Sequence, residues 1–382
     1  MSFSCSLVGS CVFCNGQPST LTVDTKQSFY NQDKDESQVL AELQKRVLEG
    51  FDPCELVAEN KSSMLMHAVI AGRNGVVSWL VDHIRARGCQ EHINLQCDTL
   101  GQTALHFACA RGNLTAMKIL LENGASPEIT DHHGASPLHV AASCGHKEVV
   151  KRLAEMDKTT TKVHLNAKFG PQRITALHAA CMYGHNGVAK ALIKAGASIE
   201  AVDSCGCVPL HSAVFGNNLK SVSLLIDRIV TSEKRFEYLN TKTGFFRITP
   251  LHLASEWGHV EIVRKLLDSG ASLSLRSAID ETPFHTATRC CKIEVLTELI
   301  SSVPETSRDE LLNDRCGIRI LTPLHIASAV GDLRTVNWLI DHGAFLAFLD
   351  ADGNTPAEVA EKCGNHAVAE LLNALEFPLY GA

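Results

Sequence analysis

A tetrapeptide ending in Leu-His, or once Phe-His, recurs along this chain at His106, His139, His178, His211, His252, His285 and His325. The intervals are 33, 39, 33, 41, 33 and 40 residues. Degenerate frames at Met66 and Glu358 extend the series by 40 and 33 residues. Self-similarity at such a period means stacked supersecondary units rather than one enclosed core. Short and long frames alternate, so the true period is a pair of about 73 residues. Even frames close with Gly124-Ala125, Gly196-Ala197, Gly270-Ala271 and Gly343-Ala344, and odd frames carry a longer insertion instead. The phrase Leu165–Ala180, repeated 74 residues later as Leu239–Ala254, marks the duplicated two-frame unit.

Each frame reads as helix, turn, helix. Thr or Ser followed by Pro is an N-cap followed by a residue whose missing N–H costs nothing in the first turn. In the frame at Thr249, Leu251, Leu253 and Ala254 have helical spacing, and Gly258 is placed to end the helix in a left-handed cap. Ile262, Val263, Leu266 and Leu267 form the stripe of a second helix closed by Gly270. Helices of about ten residues are unstable alone in water. Each must bury its stripe on its neighbours, which predicts an all-α solenoid.

The pattern Thr-Pro-Leu-His-x-Ala-x-x-x-Gly-His, then Val-x-x-Leu-Leu and Gly-Ala, resembles the ankyrin repeat over about residues 36–376. The resemblance implies antiparallel helix pairs with a β-turn finger between repeats. The expectation is an ankyrin-repeat solenoid of about nine stacked helix-turn-helix repeats with alternating short and long finger loops, spanning 35–376. A disordered tail at 1–34 and a short C-terminal tail at 377–382 would flank it. Ser37–Leu48 and the Gly-Phe-Asp-Pro that follows look like the second helix and finger of a truncated first repeat. Glu358, Glu361 and Lys362 give the last first-helix a polar face suited to a cap. The stretches Gly206–Asn218 and Tyr238–Ser272 are also similar to the ankyrin region of TRPA-type transient receptor potential channels, which alternate long insertions in the same way. The six membrane helices and pore of that family have no counterpart here, so conduction is not carried over.

Composition narrows the function. A net charge of −7 gives no reason to expect nucleic acid as a partner. No run approaches the ~18 apolar residues of a membrane span, so direct membrane insertion is not expected. The N-terminus has no cationic n-region before Lys26, and residue 2 is Ser2 where myristoylation needs glycine. Fifteen scattered cysteines fit reduced thiols in the cytoplasm, or at the cytoplasmic face of a membrane if the chain is channel-associated. Cys5, Cys11 and Cys14 are candidates for acylation near a membrane, and the alternative is that they belong to a disordered tail. No nucleophile elbow, phosphate loop or kinase signature is present, so neither an enzyme nor a cofactor is expected. Metal binding is not expected either: frame histidines one repeat apart are ~10 Å from each other, and Cys11/Cys14, Cys205/Cys207 and Cys290/Cys291 lack a second pair to answer them. The ankyrin resemblance assigns those histidines to backbone hydrogen bonds. Cys109 and Cys181 read as core thiols, and Asn217 and Cys291 stand where the turn glycine belongs.

Binding residues are sought four and five positions after each frame histidine, which the family places on the concave side. Arg111, Met182, Tyr183, Phe215, Trp257 and Arg289 are the candidates there, because large amphipathic side chains on such a face make hot spots. The alternative is that the rings pack under the long insertions. A second candidate is a basic edge on the fingers: Lys168 and Arg173, Lys242 and Arg247, Arg315 and Arg319, recurring every ~20 Å. Its alternative is solvated loop tips compensated by Glu233, Glu237 and Asp314. The function read from all this is a non-enzymatic scaffold binding a protein partner through its concave face and fingers. The other reading is a cytosolic ankyrin-domain portion of a TRPA-like cation channel, in a regulatory role.

Overall fold

A computed structural model describes residues 34–53, 62–156 and 165–376. The expected tails, with Cys5, Cys11 and Cys14, lie outside the described residues apart from Lys34. Regular structure among the described residues is helical, with isolated bridges such as Phe169–Ile174 and Cys316–Leu321 in the fingers. The chain divides into two compact units, one ending at Ser204 and one beginning at Cys205.

In the first unit, α1 (Glu36–Leu48) is followed by the pairs α2/α3 (Met64–Ile70, Asn74–Ala86), α4/α5 (Ala104–Arg111, Leu114–Glu122), α6/α7 (Pro137–Ser143, Lys147–Met156) and α8/α9 (Ala176–Met182, Asn186–Ala195). First helices pack on first helices and second on second, with α1 stacked on α3 as an unpaired second helix. The Glu36 carboxylate accepts the N–H groups of Gly75 (2.6 Å) and Val76 (3.3 Å), and so caps the N-terminus of α3 from the neighbouring helix.

The second unit repeats the scheme with α10/α11 (Pro209–Phe215, Leu219–Ile226), α13/α14 (Pro250–Trp257, Val260–Asp268), α15/α16 (Pro283–Arg289, Ile293–Ser301), α18/α19 (Pro323–Val330, Leu333–Asp341) and α20/α21 (Pro356–Lys362, His366–Glu376). Its two long insertions each form an extra helix, α12 (Ser232–Leu239) and α17 (Arg308–Leu312).

The frame histidine is the joint of the structure. In α13 the Thr249 N–H and hydroxyl both donate to His252 Nδ1, at 3.2 and 2.8 Å. His252 Nε2 donates to the Glu281 carbonyl of the next finger at 3.0 Å. Imidazole thus takes the place of Glu or Gln in a capping box, and its far side bonds the following repeat. His106, His139, His285 and His325 do the same to the carbonyls of Ala135, Ala167, Asp314 and Asn354. The Gly-His turn is a second joint. His146 Nε2 donates to Ala110 O at 2.8 Å, and its ring lies over Gly112 (φ +67°), where a Cβ would sit 2.4 Å from Nδ1. A glycine is required there by conformation and by space together.

The repeated phrase has its own structural reason. Asn94, Asn166, Asn240 and Asn313 accept, through Oδ1, the backbone N–H of Ser126, Ser198, Ser272 and Phe345 at 2.8–2.9 Å. Each donor follows the Gly-Ala that closes the next short repeat. One asparagine per two repeats therefore latches the long finger to its successor, which is why the phrase recurs at the paired period.

Asn217 (φ +53°) and Cys291 (φ +56°) adopt the left-handed conformation expected of the turn glycine they replace. Three further residues share it at one place in the long fingers, just before the frame: Arg173, Arg247 and Ile320, at φ 52–55°. For a β-branched residue such as Ile320 this is an outlier with a real energetic cost.

Candidate functional site

The candidate partner-binding residues divide between the two units. In the first, Arg111 and Tyr183 are exposed at the ends of α4 and α8. Met182 departs from expectation: it is only 9% exposed and belongs to the interior of the stack. In the second unit, Phe215 ends α10 and Trp257 ends α13, and their rings meet edge to face at 5.4 Å between centroids. Trp257 remains 44% exposed. The pair is fixed by stacking yet open to contact, the combination hot-spot residues show. Arg289, at the end of α15, is half-buried, with its Nε 3.1 Å from Glu281 Oε1 and its Nη2 3.2 Å from Oε2.

The basic edge is less uniform than its sequence period. Lys168, Arg173 and Arg247 are exposed. Lys242 folds back, its Nζ donating to the Arg276 carbonyl at 2.9 Å. The Arg315 guanidinium lies 4.6 Å over the Phe348 ring, and Arg319 pairs with Asp352 at 3.1 Å. Half of the six cations are therefore committed to internal contacts.

Between the fingers and the first-helix ends of the second unit lies an open groove of about 510 Å³. Ile326, Ala329 and Val330 of α18 form its floor, and Ile279, Ile318 and Leu321 of two successive fingers form its wall. Arg289 is the one predicted binding residue that lines it together with finger residue Arg319. Ile318 is 98% exposed and Ile279 58%. Phe245 and Phe246, at the tip of the preceding long finger, stack edge to face at 5.1 Å and are also exposed. Sequence reasoning looked for cations at these tips and missed the apolar residues beside them. The signal was there: a glycine turn occupied by Phe245-Phe246 or Ile318, where solvated turns favour polar residues.

The ionisable groups are arranged for structure. Burial pushes His139 and His252 down to about 4, against the hydrogen bonds to Ala167 and Glu281 that favour the charged form. Burial lifts Cys316 to about 12 and raises Cys290, so neither thiol is poised as a nucleophile. The donor atoms of Cys89, Glu91 and His92 lie within 4.8 Å of one another, the one such trio among the described residues. His92 Nδ1 is 3.1 Å from the Cys89 carbonyl, a contact that closes the turn itself.

Comparison with known proteins agrees with the architecture. Ankyrin-repeat family models match residues 36–130, 65–167 and 232–310 (ankyrin repeats, three copies), 177–226 (ankyrin repeats, many copies) and 321–350 (ankyrin repeat). The chain belongs to the ankyrin-repeat family. It is 27% identical to the transient receptor potential cation channel subfamily A member 1 of Homo sapiens over 281 residues, which is 72% of this chain and 24% of that protein. The Drosophila melanogaster channel of the same name is 27% identical over 331 residues, 78% of this chain and 26% of that protein. The chain thus spans about a quarter of the length of the channels it matches. The B-cell lymphoma 3 protein homolog of Mus musculus is 32% identical over 221 residues, 56% of this chain and 47% of that protein. The crystal structure of the ankyrin repeat domain of Bcl-3, described as a unique member of the IkappaB protein family, superposes with a TM-score of 0.52 at 30% identity, covering 63% of this chain and 99% of that one. Ankyrin repeats generally mediate protein binding. No helix among the described residues is long and apolar enough to cross a membrane.

Proposed function

We propose that this chain is a non-enzymatic, cofactor-free scaffold in the cytoplasm that binds a protein partner through its concave face and finger loops. The observation that carries the reading is the Phe215–Trp257 pair: two large rings, locked edge to face and half open to solvent, at the first-helix ends. Rigid aromatic anchors bind with little loss of side-chain entropy. The exposed finger cations Lys168, Arg173 and Arg247 add steering more than affinity. Affinity purification with mass spectrometry on wild type and on Phe215→Ala/Trp257→Ala tests it. A partner captured by wild type and lost from the variant, at nearly unchanged melting temperature, is the expected result. Unchanged capture, or a large drop in thermal stability, refutes it.

A second reading has an observation of its own, the 27% identity to TRPA channels over 72% of the chain. On that reading the array is a cytosolic regulatory portion of a TRPA-like channel. Sequencing the transcript beyond the codon of Ala382 tests it: six in-frame apolar spans are expected, and their absence refutes it.

A further inference from the structure

We propose that the groove of the second unit takes an uncharged, apolar segment of a partner protein, with the long-finger tips acting as a preformed apolar clamp. This names a partner class for the scaffold proposed above and rests on that reading. Charge favours such an occupant. Four charged residues line the groove, two cations and two carboxylates, and each is already paired. Arg289 holds Glu281 at 3.1 Å, Asp280 holds Arg276 at 3.4 Å, and Arg319 holds Asp352 at 3.1 Å. A charged side chain entering the groove would compete with one of these pairs, whereas an uncharged one leaves them all in place. On a chain of net charge −7 the lining sums to zero, so the groove is complementary to neutral apolar surface.

Rigidity favours it as well. Ile318 and Ile320 flank Arg319 on a turn closed by the Ile320 N–H to Gly317 O bond (3.1 Å) and the Cys316–Leu321 bridge. The Gly317 N–H donates to Asp280 of the preceding finger at 3.1 Å, and Ala351 N–H of the next finger donates to Arg319 O at 2.9 Å. The apolar tip is thus held in place on both sides. Ile320 also sits in the left-handed region while 41% exposed. Ile318, on the same turn and 98% exposed, lines the groove, and contact with an apolar segment would recover that exposed apolar area.

The test is to pan random 12-residue phage-displayed peptides against the purified chain, synthesise the enriched sequences, and measure binding by fluorescence polarisation. The expected consensus has at least two large apolar residues and no net charge, with affinity that hardly changes between 50 and 500 mM salt. Ile279→Asp/Ile318→Asp should weaken those peptides by tenfold or more, while Glu261→Ala, exposed on α14 and outside the groove lining, leaves them within twofold. Both isoleucines are exposed, so the groove variant should melt like wild type. An acidic or basic consensus, equal binding by the groove variant, equal loss on the Glu261 variant, or no enrichment at all overturns the proposal. So does a dimer, seen by light scattering, that the groove variant dissociates, since a second copy would then be the occupant. These outcomes leave the scaffold reading standing, which is tested separately by affinity purification and melting of the ring variant.

Discussion

Acidification should loosen this array through its buried frame histidines. His252 accepts at Nδ1 from Thr249 and donates from Nε2 to Glu281, so it is the neutral Nε2–H tautomer. A second proton at Nδ1 would face two donors. Burial is the main cause of its depressed value of about 4, with Lys242 and His285 pushing the same way. The unfolded chain protonates this ring near 6.5, so its stabilisation is complete above that pH and is lost as pH falls towards 4. At pH 5 the gap is about 1.5 units, or about 2 kcal/mol per ring. His139, also about 4, adds as much. Burial works to raise Asp332, but hydrogen bonds from Thr335 and Cys291 with the charge of Arg334 together hold it below the ordinary carboxylate value, so it is ionised in both states at pH 5 and adds nothing in this window. Urea unfolding at pH 7.5 and 5.0, followed by circular dichroism, should show a loss of at least about 4 kcal/mol from these two rings, summed over the transitions. His252→Gln cannot span both partners. It should be less stable at pH 7.5 but lose about 2 kcal/mol less on acidification. An unchanged pH response in the variant, or an NMR titration of His252 near 6.5, would refute the reasoning.

Other joints make independent predictions. Asn240→Ala strands the Ser272 N–H and should cost about 1–2 kcal/mol in denaturant unfolding; no loss would mean the latch is incidental. Val208 is the frame residue without a hydroxyl, although its backbone N–H still donates to His211 Nδ1 at 3.3 Å. Val208→Thr should therefore raise stability by about 1 kcal/mol, and destabilisation would contradict the capping account. Ile320→Gly should relieve the left-handed strain and raise stability by about 1 kcal/mol in thermal melts, and no gain would contradict the strain reading.

How much of this was legible depended on whether a feature was local. The frame histidines declared themselves by period, and Thr249 with Pro250 announced a helix start within four residues. Asn217 and Cys291 could be placed in the left-handed turn because seven other frames put glycine there. The partner of Asn240 lies 32 residues on; the recurring phrase showed that something repeated, but only packing shows what it holds. Met182 looks like a surface anchor by position, and the surrounding stack buries it. Lys242 and Arg315 fit the basic period, yet a carbonyl on Arg276 and a ring on Phe348 draw them inward. Residue type does not report such long-range contacts. The apolar fingertips are readable in the sequence, since Phe245 and Ile318 stand beside the cations Arg247 and Arg319 in turns that favour polar residues.

The central claim is that the first-helix ends and fingertips are where another protein is held. Photo-crosslinking in cells from benzoylphenylalanine placed at Trp257, at Ile318 and, as an outer-helix control, at Glu261 tests it most directly. The account predicts the same partner cross-linked from Trp257 and Ile318 and absent from Glu261. Cross-links concentrated at Glu261, with none from the other two positions, would contradict it.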